Sequence, residues 1–374
     1  MQEVIRSSRV SEFDCRSFTI DYLSASQEGF EIVTKESLLR HPPNTPLQEA
    51  ERIKVERDRE SKARRIGAGF KPLVGLRDIE VDGNTLKLDI KPVTFPTYKV
   101  ISSPKENLFS LDVSTPTGTA LALLTSEQDG SSKLIVQHRD PKKNFFYADI
   151  PGASVAGMLD GELDRGRENR GRLVPITTET IKSNIRKEAA EEIGIESEDL
   201  VDIKVTGLAM DLMRIHNEFL LFAKTSLTAQ QLGEKAKENA ERKKENDFDF
   251  HEKFYVIDGT PEAIETLLTK VKCPLPPTHT ATFVAGGYSM VLKRDGEEKA
   301  REWKSRLQKG IQENYAEMDR MVGMYYEQNP GSMKDAPEGK PPRNPYGYEP
   351  AYLPQQQGLP TIDSELKRVG LISE

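Results

Sequence analysis

Apolar and polar positions change their period several times along the chain, and the changes mark out elements. From Phe70 to Leu111 the apolar residues come in short alternating runs. Asp78-Ile-Glu-Val-Asp-Gly-Asn-Thr-Leu-Lys-Leu-Asp-Ile90 alternates around Asp82-Gly83, the pattern of a hairpin with a tight turn. A second hairpin is expected from Ala120–Thr125 and Lys133–His138 across Asp129-Gly130. Phe145–Ala153 reads as a strand that stops at Pro151-Gly152. The stretch from Gly157 to Arg172 has no apolar period and reads as an exposed loop.

The period then becomes helical. Ile181, Ile185, Ala189 and Ile193 recur every four residues between a capping Thr177 or Thr178 and a stopping Gly194, which predicts a helix over 178–193. Strands are expected at Val201–Leu208, Glu218–Thr225 and Lys253–Asp258, with a charged stretch over Gln230–Asn246 that reads as a polar helix or lobe. Thr260-Pro261 opens a further helix with Ile264, Leu267, Leu268 and Val271 on its buried face. A long helix from Glu297 to Gln328 carries a stripe of Trp303, Leu307, Ile311, Tyr315, Met318, Val322 and Tyr325, which reads as core packing. From Asn329 onward the chain is rich in Pro, Gly and Gln and reads as a disordered or loosely draped tail. Leu47–Arg65 reads as a charged, solvated helix, and residues 1–40 give no firm pattern.

Composition narrows the class. The 374 residues carry a net charge of −7, with 30% charged and 36% hydrophobic positions. An acidic chain argues against a nucleic-acid partner. No apolar run reaches the ~20 residues of a membrane helix, since Phe283–Leu292 is broken by Gly286, Gly287 and Ser289. The first residues lack the apolar core of a signal peptide. Cys15 and Cys273 are too few for a disulfide framework or a Cys-based zinc site. The expectation is a cytoplasmic protein with neither membrane nor nucleic acid as partner; its oligomeric state stays open.

The chemistry concentrates in the 178–193 helix. Glu188, Glu191 and Glu192 lie at i, i+3 and i+4 and so share one face, beside the apolar stripe. Three carboxylates near the negative end of a helix repel each other and the dipole unless a cation compensates. A cluster of hard oxygen donors suits Mg2+ or Mn2+.

The same stretch, Lys187-Glu-Ala-Ala-Glu-Glu-Ile-Gly-Ile195 with Glu179 upstream, resembles the Nudix box, Gly-x5-Glu-x7-Arg-Glu-U-x-Glu-Glu-x-Gly-U, where U is a bulky aliphatic residue. Glu179, Glu188, Glu191, Glu192, Gly194 and Ile195 fall in register. Lys187 stands where the family has Arg, Ala189 and Ala190 are small where U is bulkier, and Leu173 occupies the place of the box glycine. Lys133–Arg139 and Tyr147–Ala153 resemble the strands that precede the box. The looser matches Glu218–Ala229, His251-Glu252, Cys273–His279 and Thr97-Tyr98-Lys99 make the chain most similar to the branch that cleaves UDP-glucose and related UDP-sugars.

The resemblance implies an α+β fold: a Nudix α/β/α sandwich with a mixed sheet, a β-rich N-terminal lobe and a long C-terminal helix. It implies an arm and substrate-binding lobe over 1–115, a hydrolase domain over 116–295 with an insertion at 154–175, and a helix and tail over 296–374. It also implies metal ligation by Glu188, Glu191 and Glu192, with Glu191 and Glu252 as catalytic residues and Glu252 the candidate base. Tyr98, Lys99 and Arg139 would contact a nucleotide-sugar substrate. Glu179, Lys187 and Gly194 would be structural, with Glu179 pairing with Lys187 or a neighbouring cation. His216 and His279 read as turn or packing histidines that could also touch substrate. The implied reaction is hydrolysis of the diphosphate bond of a nucleoside diphosphate-sugar. ADP-ribose or another nucleotide-sugar is the main competing substrate, and a catalytically silent Nudix-fold binding module is the competing class.

Overall fold

The computed structural model describes residues 12–15, 17–34, 72–94, 115–138, 150–162, 173–212, 216–242, 254–328 and 358–373. Twelve strands among them form one curled, mixed sheet. In chain order they are β1 (Phe13–Asp14), β2 (Phe18–Leu23), β3 (Glu31–Thr34), β4 (Pro72–Asp82), β5 (Thr85–Thr94), β6 (Thr115–Leu124), β7 (Lys133–His138), β8 (Pro151–Gly152), β9 (Val155–Met158), β10 (Leu200–Asp211), β11 (His216–Thr225) and β12 (Phe254–Asp258). The main path runs β1-β2-β10-β11-β6-β4-β5-β3. The helices are α1 (Thr178–Ile193), α2 (Ala229–Arg242), α3 (Pro261–Lys270), α4 (Pro277–Asp295), α5 (Glu297–Gln328) and α6 (Ile362–Arg368).

Strand β6 lies at the centre, with all ten residues buried. It pairs in parallel with β11 from Thr117 to Leu124 and antiparallel with β9 from Gly118 to Leu121. Its alternate side chains feed two cores. Leu121 and Leu123 meet Ile181, Ile185, Ala189 and Ile193 of α1 on one face. Ala122 and Leu124 meet α4 and the α3, α5 and α6 layers on the other. Period-2 alternation in a central strand thus gives a sheet covered on both sides.

The β4–β5 hairpin forms around Gly83, whose φ of 60° suits the expected turn. Its partner strand β3 ties the N-terminal segment to α1: Thr178 Oγ1 accepts from Ile32 N at 2.7 Å, and Thr34 Oγ1 accepts from Ile176 N at 2.8 Å.

Several expectations need correction. β6 and β7 pair only at Leu124↔Leu134; β7 then leaves to join β12 and β8, so the two do not form an extended hairpin. Pro151-Gly152 is not a break but strand β8, paired with Gln137 and His138. Residues 155–158 form β9 and Leu159 is fully buried, so the stretch read as an exposed loop begins inside the sheet. The described end of the tail, 358–373, is neither disordered nor loosely draped. Thr361 caps α6, and Leu359, Ile362 and Leu366 are buried against the α3–α5 layer. Glu365 Oε2 accepts from Lys272 N at 2.6 Å, and Arg368 donates to Lys270 O at 2.6 Å. Among the described residues no helix is long and apolar enough to cross a membrane. Leu47–Arg65 lies outside the described residues.

Candidate active site

Helix α1 begins at Thr177, whose side chain accepts from Thr180 N while Thr180 Oγ1 accepts from Thr177 N, closing a capping box. It ends at Gly194, where φ of 71° is a left-handed conformation that a side chain would strain. The last turn holds no basic residue. The carboxylates therefore sit at the negative end of the helix without local compensation from that turn.

The sheet receives this face. Glu192 is buried, and its Oε2 accepts from Ala156 N of β9 at 3.1 Å and from Gln137 Nε2 of β7 at 3.3 Å. Glu188 is partly buried and packs on Gly157 of β9; a Cβ at that glycine would overlap the Glu188 carboxyl group. Glu191 is partly buried. One turn earlier, Asn184 Nδ2 donates to Thr119 Oγ1 of β6 at 3.0 Å and to Met158 O at 3.4 Å. The face is thus fastened to β6, β7 and β9 by polar groups that point into the sheet.

Lys187 Nζ lies 2.9 Å from Asp160 Oδ2 and 3.8 Å from Glu188 Oε1. The Asp160 hydrogen bond outweighs partial burial and raises the lysine pKa above its ordinary value. Lys187 is therefore a fixed cation at the rim of the carboxylate face. Glu179 pairs with Arg186, at 2.5 Å, and not with Lys187. Gly194 holds the structural place expected of it.

A second polar group occupies the opposite face of the sheet, at the N-terminal end of α4. Glu218 is buried, with His216 Nε2 at 3.5 Å from its Oε2; Asp211 Oδ2 stands 4.0 Å from His216 Nδ1. Burial disfavours the Glu218 charge. The neighbouring His216 and the Thr278 hydroxyl oppose this, and the carboxyl lies below the usual range. His279 Nδ1 accepts from Ala153 N at 3.0 Å, in the link between β8 and β9.

Tyr98, Lys99, Arg139 and Glu252 lie outside the described residues, so the substrate contacts and the base expected from sequence have no place in this geometry. Sequence reasoning missed Asn184, Gln137 and Gly157. The signal for Asn184 was present, since it stands at i−4 from Glu188 on the same helical face. Gly157 had none, because its role depends on β9 being a strand.

The donor set is carboxylate oxygen throughout, which fits a hard divalent cation in type. Among the described residues, however, no group of three or more His, Cys, Asp or Glu side chains is gathered tightly enough to hold a metal ion alone. Mg2+ needs no such cage, because it commonly keeps several waters and takes one or two carboxylates together with substrate phosphates. No protein-family model matches the chain, and no curated protein matches it.

Proposed function

We propose that the protein is a Nudix-type, metal-dependent hydrolase of the diphosphate bond in a nucleoside diphosphate joined to another group. The substrate class is a UDP-sugar such as UDP-glucose, and the products are UMP and a sugar 1-phosphate. The observation that carries the reading is the α1 face, where Glu188 and Glu192 are pressed onto β9 at the negative end of a helix whose last turn has no cation. A carboxylate group so placed is stabilised by a divalent cation, and a diphosphate is the substrate that such a cation serves.

When bound, Mg2+ or Mn2+ would neutralise phosphate charge and acidify a water molecule. The chain's own residues do the rest. Glu188 and Glu192 keep fixed positions through their contacts with β9. Lys187, held protonated by Asp160, lies beside Glu188 and supplies positive charge toward an anionic substrate. Glu191 is the third ligand in this reading and Glu252 the proton acceptor. Tyr98, Lys99 and Arg139 are assigned to substrate contact.

The test is hydrolysis with and without Mg2+ over UDP-sugars, ADP-ribose and other nucleotide sugars, and dinucleoside polyphosphates, with products identified by mass spectrometry. Mg2+-dependent release of UMP from UDP-glucose, in preference to AMP from ADP-ribose, supports the assignment. Equal or greater activity on ADP-ribose overturns the UDP-sugar part. No nucleotide release from any of them, by a folded protein, leaves the binding-module reading.

A further inference from the structure

We propose that His279, on the face of the sheet opposite to the carboxylates, is a positioning residue that sets the β9 segment on which Glu188 and Glu192 rest. The inference builds on the proposed function and concerns how that site is held in register.

The chain between β8 and β9 is short, and its groups point to different elements. Ser154 is fixed in the sheet: its Oγ donates to Ile135 O at 2.5 Å and accepts from Leu123 N at 2.9 Å, and its own N donates to Leu121 O at 2.9 Å. The N–H of Ala153 instead leaves the sheet and is taken by His279 Nδ1 at 3.0 Å. Three residues later, Ala156 N donates to Glu192 Oε2, and the next residue is Gly157, which carries Glu188 on its open side. His279 thus holds one end of a five-residue stretch whose other end receives the carboxylates.

The bond also fixes the chemistry of His279. A nitrogen that accepts from a backbone N–H carries no proton, so Nδ1 must be the bare nitrogen of the ring. His279 is in the first turn of α4, whose N-cap is Pro276 with no side-chain cap. Charged and titratable groups near it include His216 and Glu218 of β11, with Asp211 of β10 behind His216. Leaving Ala153 N unpaired in a buried site would favour opening of the segment, because a buried donor without an acceptor has lost its water for nothing.

The test compares three variants of the full chain. The Oδ1 of His279→Asn can stand where Nδ1 stands. His279→Gln reaches to the Nε2 position and cannot. His279→Leu removes the acceptor. Amide hydrogen exchange over residues 153–157 is read first, without metal. Mn2+ affinity is then read by electron paramagnetic resonance. His279→Leu and His279→Gln are expected to speed exchange in this stretch about tenfold, as loss of one buried hydrogen bond implies, and to weaken Mn2+ binding. His279→Asn should stay close to wild type in both. If His279→Leu does not fold, the Asn–Gln pair decides alone. Wild-type exchange over 153–157 in folded His279→Leu or His279→Gln, or an Asn variant no better than the Gln variant, would overturn the proposal. A wild-type protein that neither binds Mn2+ nor hydrolyses any substrate refutes the proposed function instead, and the exchange measurement still reports on His279.

Discussion

The carboxyl group of Glu188 lies against the α-carbon of Gly157, filling the space that a side chain there would need. The contact makes the position of one candidate ligand depend on the absence of one methyl group. Gly157→Ala should displace Glu188 while leaving the fold intact, since the displaced atoms belong to a flexible side chain and alanine is an ordinary strand residue. The expected change in unfolding free energy is within about 1 kcal/mol, by denaturant titration. Mg2+-dependent turnover should fall at least about tenfold, because a ligand moved by a fraction of an ångström no longer meets its cation. Unchanged turnover in Gly157→Ala would remove Glu188 from the site.

Glu192 separates a metal role from a structural one. In Glu192→Gln the amide oxygen can still accept from Ala156 N and Gln137 Nε2, so the fold should persist. The lost charge should lower turnover on the order of a hundredfold. Glu192→Ala leaves the buried Gln137 amide and the part-buried Ala156 N–H without this acceptor, and stability should drop by roughly 1–3 kcal/mol for the buried group. Equal melting temperatures for the Gln and Ala variants would show that the two hydrogen bonds contribute nothing.

Glu218 gives a pH signature. Its folded pKa lies below the ordinary 4.5: burial opposes its charge, and His216 and the Thr278 hydroxyl favour it. A depressed carboxylate adds stability that is fully present above the ordinary value and disappears as pH falls through the lowered one. Glu218→Gln should therefore melt below wild type above pH 4.5, and the gap should narrow on acidification below 4.5. Thermal melts of both proteins through this range check it. A gap that widens toward acid would reverse the assigned direction.

Helix α6 should matter for stability out of proportion to its seven residues. Leu366 is fully buried and Glu365 accepts the Lys272 backbone N–H. Leu366→Ala should cost about 2–5 kcal/mol, the usual range for emptying a core leucine site. Urea unfolding measures it. A loss below about 0.5 kcal/mol, the size of an ordinary surface substitution, would mean that α6 is only loosely seated.

Much of the site helix was legible because its signals are local. The four-residue stripe, the Thr177 cap and the Gly194 stop are all within one element, and each is found where the sequence puts it. The same holds for Thr260-Pro261 and the start of α3. What failed was non-local. β8 and β9 exist because β7 and β6 present free edges to them, which no property of Pro151-Gly152 or Gly157 announces. Helix α4 was hidden by Gly286 and Gly287, which weaken a helix in isolation. In the fold they allow close approach: Gly286 faces Ala122 and Phe222 of the sheet, and Gly287 faces the Trp303 ring of α5. The docking of α6 was masked by the Pro- and Gln-rich composition of the chain before it.

The position of α6 along the chain also bears on synthesis. Leu359, Ile362 and Leu366 leave the ribosome after the α3, α4 and α5 residues of the core layer they cover. At roughly 5–20 residues per second, the 29 residues between α5 and Gly358 delay the arrival of α6 on that surface by a second or more after α5 is made. A chain broken off within that interval would lack the apolar contacts of Leu359, Ile362 and Leu366 permanently, and binding by a chaperone such as a holdase would mark the incomplete product.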